Sequence, residues 1–361
     1  MRTAKVLSVG LTALLVAGVG ARAQMGAAKN GANTKGELRV YFVDVEGGQS
    51  TLFVAPTGES LLVDTGSPDP KNPNAPRDAG RIAAVCKLAG VTRIDNLLVT
   101  HYHSDHVGGL PQLVEMVPVG RFIDHGVNRE TADVQGGPST IAGYDAYQKV
   151  LATNHAEHLT VKPGDVLPLK ALHVEVVSGD GEVIAKPLAA GGEQNAACAS
   201  SPLKDVENTE NDRSLGMVIT FGKTRIFDLG DLTWAKERGL MCPVNKLGRA
   251  DVYIVSHHGL DRSGSRALVD AIAPRVAIED NGPRKGGAPS TYVTIEGTSR
   301  LKDLWQLHTA EAADAKNVAD SHIVNLTGPD AGNYLKLTVR MDGTFAVMNS
   351  RTGESVEYPA K

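Results

Sequence analysis

The sequence predicts an α/β fold in which two β-sheets lie face to face and helices cover both, a four-layer αββα sandwich. Strand-like and helix-like segments alternate in two comparable runs, one before and one after about residue 180. The apolar segment 94–100 ends in a cluster of histidines, and α/β proteins usually hold ligands at the carboxyl ends of strands. Neither a Pro/Ser-rich linker nor a block of charge interrupts the sequence, so we expect one domain over residues 37–361.

The first run of elements follows from two periodicities. Apolar residues alternate with polar ones where strands are expected, and they recur every three to four residues where helices are expected. Gly90 ends the first helix, and Pro56-Thr57-Gly58 is a turn between two strands. Strands are predicted at 38–45, 51–55, 60–66, 94–100 and 122–124, and helices at 79–89, 110–116 and 141–157.

The second run contains further strands and one long segment without periodicity. Gly222-Lys223 and Asp342-Gly343 each separate two strand-like segments and therefore predict hairpins. Residues 178–211 are rich in Gly, Ala and Asn, and loops of that length in a compact domain are usually functional or disordered. Strands are predicted at 172–177, 215–221, 224–229, 251–256, 276–279, 334–341 and 344–349.

The N-terminus has the pattern of a secretory signal peptide. Two basic residues precede an apolar run from Val6 to Gly20, and Ala21-Arg22-Ala23 is a cleavage motif. The run is short and glycine-rich for a membrane span, and an uncleaved anchor is the alternative. We predict a signal peptide at 1–23, a disordered leader at 24–36 and export to the periplasm or the extracellular space, with no membrane span after cleavage.

The net charge argues against a nucleic-acid partner. The formal charge is −4 at pH 7, and cleavage would remove Arg2, Lys5 and Arg22 but no acidic residue, which gives −7. A nucleic-acid-binding protein needs a basic surface to contact phosphates. We therefore expect a small-molecule substrate, which can still carry a phosphoryl group.

The three cysteines allow at most one intramolecular disulfide. Cys198 and Cys242 lie in polar, loop-like surroundings, and we predict a bridge between them in an oxidising compartment. Cys86 lies in the apolar stripe of helix 79–89 and is expected to be a buried thiol. None of the three has the surroundings of a nucleophile or a zinc ligand.

The segment His101-Tyr102-His103-Ser104-Asp105-His106 predicts a metal site. Three imidazoles and a carboxylate so close together are costly in a hydrophobic core, because each buried polar group needs its own partner. Divalent metals such as zinc bind neutral imidazole nitrogen and carboxylate oxygen. A solvated histidine-rich turn is the alternative, but such turns do not normally follow a strand and end in Gly-Gly. The candidate ligands are His101, His103, Asp105 and His106.

This motif resembles the signature of the metallo-β-lactamase-fold hydrolases, and two other positions, one before it and one after it, match the same family pattern. The resemblance implies that Asp64, at a strand end, accepts a hydrogen bond from a ligating histidine and fixes its tautomer. A turn or helix-cap aspartate is the alternative there. Asp231, in Gly230-Asp231, would bridge two metals, with Asp228 as the local competitor.

The segment Ser256-His257-His258-Gly259 resembles a motif of one subgroup of this family. Adjacent side chains at a strand end diverge, so we expect only one of them in a given coordination sphere. We assign His258 as the metal ligand and His257 as a catalytic residue that forms a wall or contacts substrate. The reverse order is the alternative.

The sequence departs from the family pattern at one position. The usual third ligand of the first metal is a histidine just before a Ser-Leu strand start, where this chain has Asp212. A carboxylate beside His101 and His103 would make that site harder, which favours manganese or another hard ion over zinc there. The other candidates for the third ligand are Asn211, His125, His155, His158 and His173.

Together the motifs resemble the hydrolase domain attached to the DNA-uptake channel proteins of natural competence. The resemblance implies one or two divalent metals, zinc first, that polarise the scissile group and lower the pKa of a bridging water. Asp105 would also move a proton to or from that water or the leaving group. A phosphoester or phosphodiester is the expected substrate and a lactone or β-lactam the second. A non-catalytic metal- or ligand-binding protein is the alternative from another class.

Trp305-Gln306-Leu307-His308 is interpreted as a loop-like segment beyond the family core. Its indole and imidazole either line the mouth of the site or pack half-buried against the protein. Half-buried packing is the more common outcome for such a pair, and the sequence favours it.

Overall fold

The computed structural model describes Met1, residues 36–130 and residues 140–361. Apart from Met1, the predicted signal peptide lies outside the described residues, as does nearly all of the predicted leader, so cleavage and export stay predictions. From Gly36 onward the described residues belong to one compact unit, Lys35–Lys361. None of their helices has the length and hydropathy needed to cross a membrane.

The strands and α-helices of the described residues are numbered in chain order, and short 3-10 helices lie between some of them. The strands are β1 Glu37–Phe42, β2 Thr51–Val54, β3 Ser60–Val63, β4 Asn96–Leu98, β5 Arg121–Asp124, β6 Glu157–Thr160, β7 His173–Gly179, β8 Glu182–Val183, β9 Glu193–Gln194, β10 Gly216–Phe221, β11 Thr224–Asp228, β12 Val244–Asn245, β13 Val252–Ile254, β14 Val276–Glu279, β15 Asp303–His308, β16 Ile323–Asn325, β17 Leu335–Arg340, β18 Phe345–Asn349 and β19 Ser355–Tyr358. The α-helices are α1 Arg77–Ala89, α2 Ser104–Val107, α3 Leu110–Leu113, α4 Ile141–Asn154, α5 Trp234–Met241, α6 Arg266–Ile272 and α7 Pro289–Glu296.

The strands form two large sheets. The nine-stranded sheet has the order β19-β18-β17-β1-β2-β3-β4-β5-β6, and the eight-stranded sheet has the order β16-β15-β14-β13-β11-β10-β7-β8. Strands β3 to β6 are mutually parallel, and so are β11 and β13 to β16. Within each sheet, the carboxyl ends of these parallel strands therefore lie along one edge.

Alternating side chains along the strands separate the apolar packing into layers. In β1, Val40 packs between the two sheets, whereas the next residue, Tyr41, packs under the outer helices of its sheet. In β11, Ile226 packs between the sheets and Phe227 under the helices on the other side. Helices α1, α3 and α4 cover the nine-stranded sheet, and α5, α6 and α7 cover the eight-stranded sheet. The predicted αββα sandwich is therefore confirmed.

Several local predictions are also confirmed. Strands β10 and β11 form the hairpin around Gly222-Lys223, and β17 and β18 form the one around Asp342-Gly343. Helix α1 ends at Gly90, whose φ of 77° is in the left-handed region that glycine adopts without strain. Cys198 and Cys242 form the predicted disulfide, and Cys86 is buried.

Strand β17 pairs antiparallel with β1 and brings the last three strands into the first sheet. One prediction about the later part of the chain is wrong. Residues 303–308 form the buried strand β15 rather than a loop. Trp305 packs between the sheets and donates its indole N–H to the Tyr358 hydroxyl over 3.0 Å. This side chain is core packing, as the sequence favours.

Candidate metal centre

The histidine-rich segment lies where β4 leads into α2, directly beside the carboxyl end of β3. Asp64, which follows β3, accepts hydrogen bonds from the Thr100 backbone N–H over 2.7 Å and from its hydroxyl over 2.6 Å. Gly109, just after the motif, packs so closely on the backbone that a β-carbon there would lie 2.1 Å from the Thr65 carbonyl oxygen. The Gly-Gly of the sequence therefore lets α2 dock against the end of β3.

Hydrogen bonds fix the tautomers of two of the imidazoles. His106 Nδ1 lies 2.7 Å from Asp64 Oδ2, an acceptor when the carboxyl is ionised. The Thr100 hydroxyl donates to Asp64, so its oxygen accepts from His101 Nδ1 at 3.1 Å. In the neutral form that binds a metal, both rings then carry their proton on Nδ1, which leaves each Nε2 with a lone pair.

The first group of candidate ligands consists of His101, His103 and Asp231, whose ligand atoms lie within 4.8 Å of one another. His101 Nε2 is 2.9 Å from His103 Nδ1 and 4.0 Å from Asp231 Oδ2. His103 Nε2 faces outward, 4.0 Å from the carboxylate of Glu130. The inward nitrogens of the two imidazoles thus meet on one side of Asp231.

The second group consists of Asp105, His106 and His258, with the same spacing limit. His106 Nε2 and His258 Nε2 are 3.2 Å apart. They lie 3.3 Å from Asp231 Oδ2 and 3.2 Å from Asp231 Oδ1, respectively. Asp231 is therefore adjacent to both groups, which is the geometry that a bridging carboxylate needs.

Asp280, which the sequence does not single out, contacts Nδ1 of His258, on the side of the ring opposite the candidate metal site. His258 Nδ1 lies 3.3 Å from the Asp280 carbonyl oxygen and 3.5 Å from its Oδ1. A carbonyl oxygen can only accept, so the Nδ1 proton of His258 points to it and the lone pair of Nε2 faces Asp231. Asp280 directly follows β14, so only the parallel pairing of β13 with β14 brings it to His258.

The donor set fits a divalent cation. Asp105 Oδ1 and Asp231 Oδ1 are buried and accept no hydrogen bond from any described residue. Burial lowers the pKa of His106, but the carboxylates of Asp231, Asp105 and Asp64 outweigh it and raise that pKa well above its usual value. These buried lone pairs and negative charges have too few hydrogen-bond donors around them. A bound metal ion would compensate for both.

Lys285 is a second residue that sequence reasoning missed. Its ammonium forms an ion pair with Asp105 Oδ2, and about a quarter of the side chain is exposed, 24%. Burial opposes ionisation of Asp105, yet Lys285 and the nearby histidines hold its pKa below the usual value. Lys285 lies 180 residues after Asp105 in a Gly- and Pro-rich loop, and no local pattern marks it.

The structure does not bring Asp212 into either group. Asp212 Oδ1 accepts a hydrogen bond from the Thr233 hydroxyl, and Oδ2 accepts one from the Asn208 backbone N–H over 2.8 Å. Oδ1 thus ties the 3-10 helix Glu210–Arg213 to the residue before α5, and Oδ2 holds the segment that leads into the 3-10 helix. The expectation that Asp212 replaces an imidazole ligand does not agree with this geometry.

Apart from Asn211, the competing candidates among the described residues lie outside both groups. Asp228 accepts hydrogen bonds from the Gln49 amide over 2.7 Å and the Gly230 N–H over 3.2 Å, and it belongs to neither group. Asn211 is buried with an unpartnered Oδ1. The histidines of the interval are also outside both groups: His125 contacts Glu210, His158 contacts Asp124, His173 contacts Glu175 and His155 ends α4.

His308 is at the same edge but outside both groups. Its Nε2 lies 2.6 Å from Asp44 Oδ1, and Asp44 Oδ2 accepts from Arg81 over 2.9 Å. Both members of this pair are buried. The contact joins the end of β15 to the segment after β1 and connects the edges of the two sheets.

Residues 44–187, which include Asp64 and the whole histidine-rich segment, match the family model described as the metallo-beta-lactamase superfamily. The match coincides with the two-sheet architecture and with the position of the site at the strand ends. This chain has the metallo-β-lactamase fold.

Other proteins with this fold or similar sequence cover parts of the chain. ComE operon protein 3 of Bacillus subtilis (strain 168) is 26% identical over 255 residues, which is 67% of this chain and 28% of that protein. Lactamase-like protein notP of Aspergillus sp. (strain MF297-2) is 37% identical over 71 residues, 20% of each chain. The metallo-beta-lactamase fold protein YhfI from Bacillus subtilis is 15% identical, with a TM-score of 0.44, and the match covers 75% of this chain and 96% of that one. This chain thus spans less than a third of the length of either sequence relative.

Proposed function

We propose that this chain is an exported, metal-dependent hydrolase that acts on phosphoesters or phosphodiesters. One observation carries the proposal. Imidazole nitrogens of both ligand groups lie around Asp231, and two buried carboxylate oxygens there, Asp105 Oδ1 and Asp231 Oδ1, accept no hydrogen bond from the described residues. A protein that only retained the fold would gain nothing from keeping so many buried polar groups without partners, because each one costs stability.

His101 and His103 would hold one ion, Asp105, His106 and His258 the other, and Asp231 both. When bound, divalent metal supplies Lewis acidity and a water of lowered pKa. Asp105 Oδ1, which accepts no hydrogen bond among the described residues, can take a proton from the attacking water and return it to the leaving oxygen.

The substrate class follows from the charge at the mouth of the site. Lys285 adds an ammonium beside Asp105, and its partial exposure leaves it within reach of a bound molecule. An ammonium favours an anionic substrate such as a phosphoester over a neutral lactone. A β-lactam that carries a carboxylate remains the second candidate, since the same ammonium could bind that group.

Zinc is the proposed metal at both positions. The argument for a harder ion beside His101 and His103 depends on Asp212 as a ligand, and the Asp212 carboxylate is occupied by Thr233 and Asn208. A centre rich in imidazole nitrogen suits zinc better than manganese.

Export is supported by two features. The N-terminal 23 residues have the pattern of a signal peptide, and Cys198–Cys242 is a disulfide, which persists in oxidising compartments. N-terminal sequencing of the protein secreted by a native-type host should begin at Gln24. A mature chain that starts at Met1 in the cytosol would contradict this part of the proposal.

The activity is tested with purified protein of known metal content and a chromogenic panel of a phosphodiester, a phosphomonoester, a lactone and a β-lactam. We expect phosphoester hydrolysis that chelation abolishes and zinc restores. Asp105→Asn should reduce kcat by at least 100-fold while the fold is retained. Metal binding without turnover of any panel member would instead favour the non-catalytic alternative.

A further inference from the structure

His257 approaches the metal centre although it belongs to neither group of candidate ligands. We propose that His257 is the third imidazole ligand of the first metal position, together with His101 and His103. His257 would thus supply the imidazole that, in the family pattern, comes from a histidine just before Ser214. The inference rests on the metal-dependent function proposed above, and it replaces the catalytic role that the sequence assigns to His257.

The backbone around His257 brings two adjacent imidazoles to one carboxylate. His257 and His258 both have φ of 56°, and Gly259 follows with φ of 81°. The left-handed conformation is unfavourable for residues with a β-carbon and tends to be kept where function needs it. Adjacent side chains of an extended strand would point to opposite faces, but here His257 Nε2 is 3.4 Å from Asp231 Oδ2 and His258 Nε2 is 3.2 Å from Oδ1.

The tautomer of His257 leaves a lone pair facing Asp231. The buried Ser263 hydroxyl donates to the Leu232 carbonyl oxygen over 2.7 Å. Its oxygen can then only accept from His257 Nδ1, at 3.3 Å. The Nδ1 proton is therefore directed at Ser263, and Nε2 presents its lone pair to a carboxylate oxygen. These two electron-rich atoms repel each other unless a cation lies between them.

The number of available ligands assigns His257 to the first metal position, because His101 and His103 are only two ligands beside Asp231, whereas Asp105, His106 and His258 are three. Asp231 Oδ2, the oxygen that His257 approaches, lies 4.0 Å from His101 Nε2 of the first group and 3.3 Å from His106 Nε2 of the second, so it is open to both positions. Since Asp212 is engaged with Thr233, the first position has only two imidazoles without His257. Three imidazoles and the bridging carboxylate would match the nitrogen-rich coordination that zinc prefers.

The decisive measurement needs no variant. Crystals of the full chain, stripped with chelator and soaked with zinc, are measured at the zinc absorption edge to locate each ion by anomalous scattering. We expect an ion about 2.0–2.1 Å from His257 Nε2 and at a similar distance from His101 Nε2 and His103 Nδ1. An ion at the first position that lies more than 3 Å from His257 Nε2 would overturn the inference.

Variants then measure the contribution of His257 in solution. His257→Ala should weaken the binding of one of two cobalt ions at least 100-fold and change the visible cobalt spectrum. Ser263→Ala should weaken the binding of the same ion about 10-fold, because the hydrogen bond that holds the proton on His257 Nδ1 is lost. Asp212→Ala, folded as judged by circular dichroism, is the matched control and should keep both ions. If His257→Ala binds both ions normally but loses turnover, His257 is catalytic and not a ligand.

The outcomes separate this inference from the proposed function. Protein that binds no zinc or cobalt at either position would refute both. Protein with a filled first position that excludes His257 would refute only the ligand assignment and leave the hydrolase proposal intact.

Discussion

Asp64 Oδ2 and His106 Nδ1 are 2.7 Å apart, and both side chains are completely buried. The same carboxylate accepts two hydrogen bonds from Thr100, so a single residue after β3 orients His106 directly and His101 through the threonine hydroxyl. Because carboxylates behind ligating histidines fix ring orientation and tautomer, this contact should control metal affinity.

We predict that Asp64→Asn lowers zinc affinity about 10- to 100-fold. An amide N–H in place of Oδ2 would face the N–H of His106 Nδ1, and two donors cannot form a hydrogen bond. Asp124→Asn is the matched control. Asp124 is also a buried aspartate at the end of a parallel strand, β5, but it accepts from Tyr147 and His158, both over 2.7 Å. Competition titrations with a chromogenic chelator measure both variants. Equal affinities would show that Asp64 does not act on the centre.

We predict that Asp231→Ala loses most bound metal at both positions, since Asp231 is adjacent to both groups of ligands. Asp228→Asn is the control: Asp228 is three residues away and buried, but it is bonded to Gln49 and Gly230 instead. Metal content by elemental analysis after dialysis should fall to a small fraction of wild type only in Asp231→Ala. An unchanged stoichiometry in that variant would refute the bridging role.

The sequence predicts those parts of the fold and site that depend on local patterns. The end of β4, the four candidate ligands of the 101–106 motif and the hairpin at Gly222-Lys223 each follow from spacing within a few residues. The fold prediction succeeds because alternating apolar side chains identify the strands regardless of their order in the sheets.

The residues that the sequence does not predict depend on pairing between distant segments. Lys285 reaches Asp105 across 180 residues, and Asp280 reaches His258 only because β14 pairs with β13. Likewise, β15 is continuously buried and shows no period-two alternation, so it is difficult to distinguish from an apolar loop. Asp212 has the sequence position of a ligand, but its hydrogen bonds direct it elsewhere.

We predict that replacing both bridge cysteines, Cys198→Ser with Cys242→Ser, lowers the free energy of unfolding by about 2–4 kcal/mol. The bridge joins residues 44 apart and fixes the long segment after β8 to the end of α5. Denaturant unfolding of the zinc-loaded protein measures the difference, and Cys86→Ser, at a buried thiol outside the bridge, tests whether loss of any cysteine has the same effect. The prediction fails if the double variant and wild type unfold at the same denaturant concentration.

We predict that the buried Glu237 makes the protein less stable as pH rises. Its carboxylate accepts from the Gly264 and Ser265 N–H groups, but burial raises its pKa from 4.5 to about 7. The folded state therefore holds the proton more tightly than the unfolded state. The contribution of Glu237 to stability is fully present below pH 4.5 and is lost, by about 3 kcal/mol in all, as the pH rises through about 7.

Glu237→Gln should remove this contribution and flatten the pH dependence of the unfolding free energy between pH 4.5 and 7, even if it lowers stability overall. Glu296→Gln, at an exposed position on α7, should leave the slope unchanged. A Glu237→Gln slope that matches wild type would show that Glu237 has an ordinary pKa in the folded state.

Lys285 should act on both the metal and the substrate. Its ammonium neutralises Asp105, so Lys285→Met should leave that carboxylate free and tighten metal binding at the second position severalfold. The same change removes the positive group that we propose to bind an anionic substrate, so KM for a phosphodiester should rise about 10-fold, roughly 1.4 kcal/mol, with a smaller change in kcat.

Lys285→Arg, which keeps the positive charge, should bring KM part of the way back to the wild-type value. Lys302→Met, at an exposed lysine before β15, should change neither quantity. If Lys285→Met raises KM equally for a neutral lactone and for the phosphodiester, the ammonium does not select substrates by charge, and Lys285 only positions Asp105.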